Sequence, residues 1–493
     1  MGTEVAGLPA AEPESDRVWS IETHGIDPIP ESDRHGTPRE LFWIWCAANI
    51  AILGVAYGAY LVTWYGLSFW QGVLAAVIGT VASFLLVGFI SLAGKVAGAP
   101  TLVLSRAAFG VRGNAIPTLV SWVALVGWEI ILVALATMSA EAILDRLGIA
   151  TGDLVTAVAF AVITAATVVV GLLGHATILK IQTWFTYAFA VLTVVFMGLE
   201  VSHIDWHKVS TLPSTNLTGF IGGMSILMAG LGIGWVNAGA DYSRYLPHSA
   251  SSRAVVWWTT FGASIAPVIL ITFGVLLAAN NPDIAPALNP IAALSKDLPT
   301  WFLVPYLLTA VGGLVAGALL DIYSSGLNLL TLGVKIPRYQ SVAIDGVLML
   351  IGNIYILFFA RNFFVPFQGF LITLGVLLAA WAAVFLVDLW MYRFRHGYAE
   401  RELYDPAGRY GAWNAAGVVS FLVAAAIGLG VVTSTAKVFS WVGYLLRFVG
   451  GKSGIVATSS IGLLIAFGVA GVLYAVLSGP FGGRLGEETA RVP

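Results

Sequence analysis

The sequence predicts an all-α integral membrane protein with twelve transmembrane helices, and three observations support that prediction. Of 493 residues, 58% are hydrophobic and only 10% are charged, whereas soluble chains carry about 25% charged residues. Twelve apolar runs reach the length of about 20 residues that a helix needs to cross the bilayer core. In a twelve-span topology, 17 of the 24 Lys and Arg residues fall on one side of the membrane.

The spans are numbered here in chain order. They cover residues 40–64, 68–93, 113–140, 154–173, 178–199, 218–238, 255–279, 303–332, 342–360, 364–391, 411–432 and 457–478. Because Lys and Arg favour the cytoplasmic face, we expect the tails 1–39 and 479–493 to lie in the cytoplasm of a multi-pass protein of the cell membrane. The run 433–453 is short and two-faced, which predicts an interfacial helix.

Several classes of protein find no support in the sequence. The single cysteine, Cys46, excludes an intrachain disulfide and a cysteine-rich metal site. The chain has no GxxxxGK(S/T) phosphate loop and no HExxH metal motif. An enzyme, a metal, a bound cofactor and a nucleic-acid partner are therefore not expected. The lipid bilayer is an expected partner, and no feature predicts the oligomeric state.

Spans 1 and 6 both have a polar centre that is interrupted by glycine. Span 1 carries Asn49 and Gly54 near its middle, and span 6 runs into GLGIGWVNAGADYSRYLP, with Gly234, Asn237 and Gly239. Two such segments five spans apart are typical of inverted five-helix repeats. In those repeats the first helix breaks at the midplane and exposes backbone groups to a substrate and an ion.

This pattern divides the chain into two repeats, 40–199 and 218–391, followed by a peripheral pair of spans at 411–478. Asn49 and Ile50, at the predicted break of span 1, are candidates for contact with a coupling cation. Coincidence is the alternative explanation, because glycine is frequent in membrane helices for other reasons.

Two carboxylates lie at mid-depth, Glu129 in span 3 and Asp321 in span 8. An ionised group at the bilayer centre costs at least ~2.5 kcal/mol and usually marks a path for an ion or a substrate. Both residues are candidates for cation coupling and for substrate contact. Each could instead be protonated, or satisfied by a neighbouring helix.

Two further charged pairs have a simpler structural interpretation. Asp388 lies near Arg393 at the predicted cytoplasmic edge, which favours a structural ion pair. Asp241 and Arg244 are three residues apart, as in a helical pair. We expect this second pair to close the inner end of span 6.

Trp128 and Trp235 lie beside glycine and polar residues, away from the interfacial belts where membrane tryptophans concentrate. A planar heterocycle would fit between two aromatic faces, since stacking on one aromatic ring is worth ~1–3 kcal/mol per base. Asn237 and Asp321 would supply hydrogen bonds to the ring edges, and Gln368 adds a polar group in span 10. Ordinary packing is the alternative role for both tryptophans.

Four segments carry a family likeness. They are IETHGIDPIPESDRHGTPRELFWIWCAANI, GAPTLVLSRAAFGVRGNAIP before span 3, DYSRYLP after span 6 and DIYSSGLNLLTLGVKIPR in span 8. In this order they resemble the purine-cytosine permeases of the nucleobase–cation symporter family, first type, and the resemblance covers roughly residues 20 to 480. It implies a leucine-transporter-type fold, with a 5+5 inverted repeat and two peripheral helices.

The resemblance also implies a substrate site between spans 1, 3, 6, 8 and 10. Trp128 matches the tryptophan of span 3 that stacks on the substrate in the family, and Trp235 is the best match for a second aromatic from span 6. Asp321 is nearest to the polar residue of span 8 that reads the ring edge. Asn362 resembles the asparagine of span 10 in related permeases.

This sequence departs from the family pattern at two places. Many relatives carry an amide four residues after the tryptophan of span 3, where this chain has Leu132. The sodium-coupled members use hydroxyl groups from span 8, but residues 310–322 contain no Ser or Thr. The coupling cation is therefore predicted to be a proton rather than sodium.

Together these features predict a secondary active transporter that imports a nucleobase, cytosine or a purine, by cation symport. Alternating access would occur as spans 1, 2, 6 and 7 move against spans 3, 4, 8 and 9. The substrate could instead be allantoin, a hydantoin or a vitamin-like heterocycle. An uncoupled facilitator or channel for a small polar solute is the alternative from another functional class.

Overall fold

The computed structural model describes residues 18–487, except for 23, 150–151, 283–299, 361–363 and 435. All regular secondary structure in these residues is helical, as predicted. Asn362 lies outside the described residues, so the prediction for it stays a prediction.

The helices follow the predicted spans and keep their numbers. Span 1 is a bent pair, and the others are continuous or nearly so. The bounds, from span 1 to span 12, are Glu40–Asn49 with Leu53–Thr63, Phe69–Ala97, Ala115–Arg146, Asp153–Leu173, His175–Val201, Leu217–Ala238, Ser252–Asn280, Thr300–Thr331, Arg338–Phe358, Phe364–Asp388, Ala415–Gly430 and Gly462–Glu487.

The count of twelve spans is only partly met within the described residues. Ten helices are long and apolar enough to cross a membrane, and the bent pair of span 1 makes eleven. Span 11 has 16 helical residues, which is about 24 Å of helix against a hydrocarbon core of about 30 Å. Span 11 is therefore shorter than a helix that crosses the whole hydrocarbon core.

The prediction of an interfacial helix at 433–453 is wrong. The segment contains two three-residue 3₁₀ turns, Lys437–Phe439 and Leu446–Phe448. Gly443 lies between them at φ 81°, a left-handed conformation that ends a helix. The apolar residues of this segment therefore lie in short turns and do not form one face of a continuous helix.

Caps at several helix ends account for their boundaries. Span 2 begins at a capping box in which Ser68 and Gln71 satisfy each other's backbone groups, and it ends at Gly98 in the left-handed conformation. Asn216 accepts a hydrogen bond from the backbone of Gly219 at the start of span 6. Such side chains take over the backbone donors that a helix leaves without intrahelical partners.

The break of span 1 lies at residues 50–52, where the two half-helices meet at 56°. Gly54 is the second residue of the second half, so it lies beyond the break that it was predicted to form. Its lack of a side chain serves packing instead, because a Cβ atom there would lie 2.9 Å from the Cβ of Leu270 in span 7.

Span 6 breaks at Leu231, whose φ of −119° and ψ of −108° are not helical. The predicted break glycines, Gly234 and Gly239, lie three and eight residues further on. Gly232 permits the bend by packing directly on span 2, where a Cβ would lie 2.2 Å from the carbonyl carbon of Ser83. Gly239 is held by its carbonyl, which accepts a hydrogen bond from Ser91 of span 2 at 2.8 Å.

Spans 1 and 7 cross in direct backbone contact. A Cβ on Gly58 would lie 2.1 Å from the carbonyl oxygen of Ile271, and a Cβ on Gly274 would lie 2.1 Å from that of Val55. Small residues at helix crossings allow this approach in membrane proteins. The second half of span 1 is therefore packed tightly against span 7.

Two helix pairs dominate the interior, span 3 against span 8 and span 2 against span 7. Spans 4, 5 and 9 lie outside them and expose most of their apolar surface. Leu154 and Val162 of span 4 and Val191 of span 5 are examples of such exposed apolar side chains. This distribution suits a bundle whose outer face meets lipid.

Candidate functional site

A small cavity lies where the breaks of spans 1 and 6 face span 3. Its volume is about 40 Å³, well below the roughly 300–1,000 Å³ of pockets that hold drug-sized ligands. The lining residues are Ala48, Asn49, Ala51, Leu53, Gly54, Tyr57, Trp128, Leu132, Gly230, Leu231, Gly234 and Trp235. The cavity is therefore contracted, and it brings both predicted tryptophans to one place.

Edge-to-face contacts hold the two tryptophan rings. Trp235 meets the ring of Trp45 at 5.6 Å and 82°. Trp128 meets Phe367 at 5.8 Å and Phe370 at 6.1 Å, both nearly perpendicular. Such geometry stabilises aromatic pairs. Sequence reasoning missed the two phenylalanines, although their spacing of three residues in span 10 marks one helical face.

Few polar side chains reach this cavity. The Asn49 amide donates to the Trp45 carbonyl at 2.8 Å, so it is engaged within its own helix. The Tyr57 hydroxyl donates to the Gly230 carbonyl at 3.4 Å across the cavity wall. Leu132 adds an apolar side chain to the cavity wall. Polar contacts to a substrate would therefore come mainly from Tyr57 and from backbone groups at the two breaks.

Asn237 does not line the cavity. Its amide donates to the Ser121 hydroxyl at 2.8 Å, and Asn328 of span 8 donates to the same hydroxyl at 2.6 Å. This buried group ties spans 3, 6 and 8 together. Gln368 is also elsewhere, near the hydroxyl group of Tyr65.

Glu129 follows Trp128 in the sequence but faces away from the cavity, toward spans 8 and 9. Its Oε1 lies 2.6 Å from the hydroxyl oxygen of Ser325. The same Ser325 hydroxyl contacts Asp345 of span 9 at 2.9 Å, and the indole N–H of Trp122 donates to the other oxygen of Asp345 at 2.9 Å. All four polar groups are buried or nearly so. Sequence reasoning missed Asp345, because it lies in an otherwise apolar stretch, AIDGVLML.

Asp321 is buried one helical turn before Ser325, and it does not line the cavity either. Its Oδ2 has no hydrogen-bond partner within the described part of the chain. The two mid-depth carboxylates, Glu129 and Asp321, are thus close to each other but separate from the two tryptophans.

The contact between the break of span 1 and span 8 tests whether a sodium site is present. Gly313 of span 8 packs against Ile50, with only 2.8 Å between a Cβ built there and the Ile50 carbonyl oxygen. Residues 310–322 contribute no hydroxyl group. The Gln182 amide of span 5 donates to the Ala316 carbonyl at 2.8 Å. Residues 310–322 therefore offer no hydroxyl ligand for sodium, although Thr309, one residue earlier, lines a cavity beside Ile50 and Ala51.

A column of aromatic rings leads away from the cavity toward the N-terminal segment. Trp235 contacts Trp45, Trp45 contacts Tyr242 at 5.6 Å, and Tyr242 contacts Tyr323 at 5.6 Å. All four rings are buried. The column closes the cavity on this side of the molecule.

The column ends at a carboxylate from the N-terminal segment, Glu22. Its Oε1 accepts hydrogen bonds from Arg244 at 3.1 Å, from Tyr323 at 3.1 Å and from Tyr245. Its Oε2 accepts from the backbone N–H of His175, the first residue of span 5, at 2.8 Å. The positive end of a helix dipole favours a carboxylate at this position.

Arg338, the first residue of span 9, adds a second cation 3.9 Å from Glu22. Burial by itself lowers the pKa of the Arg244 guanidinium, but Tyr245, Tyr323 and Glu22 outweigh burial and raise that pKa well above its usual value. Arg244 therefore remains charged. We call Glu22, Arg244, Arg338, Tyr245 and Tyr323 the Glu22 cluster.

Of the two pairs expected from the sequence, one forms and one does not. The pair between Asp388 and Arg393 is confirmed, with Nε and Oδ2 2.8 Å apart. The pair between Asp241 and Arg244 is wrong, because Asp241 accepts from the backbone and the hydroxyl of Thr101, both at 2.8 Å. The chain turns after residue 238, so the helical spacing of that pair does not apply.

Comparison of the whole chain with solved structures supports the same architecture. One similar structure is Mhp1, a nucleobase-cation-symport-1 family transporter, in a closed conformation with bromovinylhydantoin bound. The two superpose with a TM-score of 0.71 at 17% sequence identity, over 94% of this chain and 97% of Mhp1. A Na⁺-coupled sialic acid symporter superposes with a TM-score of 0.60 at 12% identity, covering 90% of this chain and 91% of that one. The leucine-transporter-type fold is thereby confirmed, apart from the exact count of twelve spans.

Sequence comparison identifies the family. A Bacillus subtilis (strain 168) protein named as a purine-cytosine permease, YxlA, is 26% identical over 472 residues, which are 93% of this chain and 96% of the relative. The purine-cytosine permease FCY2 of Saccharomyces cerevisiae is 26% identical over 341 residues, 66% of this chain and 60% of the relative. The model of the family described as permease for cytosine/purines, uracil, thiamine, allantoin matches residues 28–450. The chain therefore belongs to this family of membrane permeases.

Proposed function

We propose that this protein is a secondary active transporter that imports a nucleobase, cytosine or a purine, by cation symport. One observation carries the proposal: Trp128 and Trp235, from different spans, line a single cavity at the breaks of spans 1 and 6. A flat heterocycle between two indole faces gains ~1–3 kcal/mol from each stacking contact. Backbone groups at the breaks and the Tyr57 hydroxyl would then bond with its polar edges.

The contracted cavity supports transport by alternating access. A site that binds substrate between two helix breaks must open to one side at a time, and the cavity of about 40 Å³ has to widen before a base can enter. The aromatic column and the Glu22 cluster close it on the side of the N-terminal segment. If both tails are cytoplasmic in the cell membrane, this closed side is the inner one, and entry occurs from outside.

The coupling cation in this proposal is a proton. Residues 310–322 of span 8 carry no hydroxyl group that could bind sodium, whereas three carboxyl groups are buried in spans 3, 8 and 9. Buried carboxylic acids are the groups that bind and release protons within membrane transporters. If protonation strengthens substrate binding, the substrate strengthens proton binding by the same factor.

Uptake into proteoliposomes tests the proposal. Purified protein is reconstituted, and entry of labelled cytosine or adenine is compared under an inward pH gradient, an inward sodium gradient and no gradient. We expect accumulation above the external concentration only with the pH gradient. Uptake that is indifferent to both gradients would show an uncoupled facilitator instead. A thermal-shift screen with allantoin, hydantoin and pyridoxine, alongside the bases, distinguishes the substrate classes.

Removing either stacking surface should weaken binding of the base. We expect Trp128→Ala and Trp235→Ala each to lower affinity roughly 5- to 150-fold, the equivalent of ~1–3 kcal/mol, measured as the ligand-induced shift in unfolding temperature. The matched control is Trp184→Ala, because Trp184 is a largely exposed tryptophan of span 5. Binding that survives both cavity changes at full strength would place the substrate site elsewhere.

A further inference from the structure

Ser325 contacts two carboxyl groups at once, and its single hydroxyl hydrogen cannot satisfy both if both are ionised. Its hydroxyl oxygen lies 2.6 Å from Glu129 Oε1 and 2.9 Å from Asp345 Oδ2, and 3.3 Å from the carbonyl oxygen of Ile322. A serine hydroxyl has one hydrogen to donate and two lone pairs to accept with. If both carboxyl groups were ionised, one of the two short contacts would join two acceptor oxygens. At least one of these carboxyl groups is therefore protonated.

The remaining contacts show which carboxyl group holds the proton. Both oxygens of Asp345 accept hydrogen bonds, one from Ser325 and one from the indole N–H of Trp122. Glu129 Oε2 has no hydrogen-bond partner within the described residues, and an ionised oxygen buried without a partner is costly. The arrangement that satisfies these contacts has a neutral Glu129 donating to Ser325 and an ionised Asp345 accepting from Ser325.

No basic residue neutralises this group. The ion pairs of Lys and Arg in the described part of the chain include neither Glu129 nor Asp345. Two other titratable groups interact with Glu129, namely Asp345 from span 9 and Asp321 from span 8, and both are acidic. Spans 4 and 10, which also pack on span 3, add no titratable neighbour among the described residues. Like charges that share a buried site resist simultaneous ionisation.

The location of the group connects the substrate cavity to the closed side of the molecule. Glu129 directly follows Trp128, so a shift of span 3 around the substrate also moves Glu129. Asp345 lies seven residues after Arg338 in span 9, about 10 Å along the helix. Arg338 is part of the Glu22 cluster. The group thus lies between the substrate cavity and the end of the aromatic column.

We propose that Glu129, Ser325 and Asp345 are the proton site of the transport cycle, with Ser325 relaying the proton between the two carboxyl groups. In the relay, the Glu129 O–H bond breaks as the proton bonds to the Ser325 oxygen, and the Ser325 hydrogen passes to Asp345 Oδ2. Glu129 ends ionised and Asp345 neutral, so the total charge is unchanged. The proton moves from the cavity-lining span 3 to span 9, which leads to the closed side.

This inference rests on the proposed function, because a proton site has a role only if transport is coupled. Two measurements keep the two ideas apart. Counterflow, the exchange of labelled for unlabelled cytosine or adenine without any gradient, reports transport alone. Infrared spectroscopy of the purified full chain reports a protonated buried carboxylic acid through its C=O band, which shifts in D₂O whether or not a base is bound.

The test compares Glu129→Gln with Glu141→Gln, a half-buried glutamate further along span 3. We expect Glu129→Gln to lose the Glu129 component of the infrared band and all stimulation of uptake by the pH gradient, while counterflow continues. Glu141→Gln should keep the band and the stimulation. We expect Ser325→Ala to retain counterflow and lose gradient-driven accumulation, because the two carboxyl groups are no longer connected.

Three outcomes would overturn the proposal or part of it. A Glu129→Gln protein that keeps both the whole infrared band and gradient-driven accumulation contradicts the proton site. A Ser325→Ala protein that accumulates base like the unmodified protein contradicts the relay. If the unmodified protein shows no counterflow with either base, the proposed function fails. In that case the infrared band of Glu129 still decides whether a proton is bound there.

Discussion

Two sites in this protein bury carboxyl groups in opposite surroundings, Glu22 among cations and, within the described residues, the pair of Glu129 and Asp345 without them. Glu22 is surrounded by two arginines, two tyrosine hydroxyls and the first backbone N–H of span 5. Glu129 and Asp345 share one serine hydroxyl, and no cation from the described residues pairs with them. The first arrangement fixes a charge permanently, because every neighbour favours the ionised form. The second leaves one proton to be exchanged between the two groups, which is what ion coupling requires.

The comparison also separates a structural role from a functional one. A carboxylate with matched cations resists protonation and holds elements together, here the N-terminal segment and spans 5, 6, 8 and 9. A carboxyl group without a cation contributes little to holding the fold, but it can change its protonation when its surroundings move. The two groups should therefore respond differently to the same neutralising substitution.

The largest expected effect is on the Glu22 cluster. Glu22→Gln leaves two buried arginines without a counter-charge, and breaking a buried pair from one side costs about 3–5 kcal/mol. The measurement is the midpoint of thermal unfolding in detergent. The control is Glu31→Gln, because the Glu31 side chain is 58% exposed where it pairs with Arg34 at 3.5 Å. Arg34 is buried but also donates to the carbonyls of Ile29 and Lys95, so we expect a loss of about 0–1 kcal/mol, as for exposed pairs. If the unfolding midpoint fell equally in both variants, the buried Glu22 cluster would contribute no more to stability than the exposed Glu31 does.

An intermediate case is Asp241, which accepts hydrogen bonds from Thr101 but forms no ion pair with a cation in the described part of the chain. Burial raises the pKa of Asp241 to about 6 from its ordinary value of 3.8, with the bonds from Thr101 and the charge of Arg244 opposing the rise. Because the folded-state pKa is the higher one, this group favours folding below about pH 4, and that contribution is lost as pH rises to about 6. The loss amounts to about 3 kcal/mol.

Asp241→Asn removes that dependence on pH. Relative to the unmodified protein, we expect the unfolding midpoint of the variant to rise between pH 4 and pH 7.5, with nearly all of the change below pH 7. Thermal unfolding in detergent at several pH values gives the difference directly. A difference that stays constant over this range would show that Asp241 titrates at the same pH folded and unfolded.

The smallest effect on stability is expected at Glu129. Its replacement by glutamine keeps the shape of the side chain and supplies an N–H donor toward Ser325, as the protonated acid does. We expect Glu129→Gln to change the free energy of unfolding by less than about 1 kcal/mol, while pH-gradient coupling is lost. If it destabilised the protein as strongly as Glu22→Gln does, the comparison between the two groups would fail.

Much of the fold follows from composition and spacing. Long apolar runs identify the spans because only a helix satisfies its own backbone in lipid, and the five-span interval between polar centres predicted the two broken helices. The break positions were missed by a few residues. They depend on contacts between helices, such as Gly232 on Ser83 and Gly54 on Leu270, which glycine positions in the sequence alone do not reveal.

The site was harder to predict than the fold. Trp128 and Trp235 do line one cavity, but Asn237, Glu129 and Asp321 point elsewhere, because neighbouring positions on a helix face different directions. Asp345 and Glu22 escaped notice for another reason. One lies in an ordinary apolar stretch and the other in a polar tail, and their importance arises from partners more than 150 residues away or on another span.

The crossing of spans 1 and 7 at Gly58 and Gly274 has a mechanical consequence. Because the two backbones are in contact, the second half of span 1 cannot move far without span 7, and the bend at residues 50–52 is where span 1 can change direction. Leu53, Gly54 and Tyr57 form the part of the cavity wall carried by this half of span 1. A methyl group added at Gly58 or Gly274 would force spans 1 and 7 apart. The absence of a side chain at these two positions therefore keeps this part of the cavity wall attached to span 7.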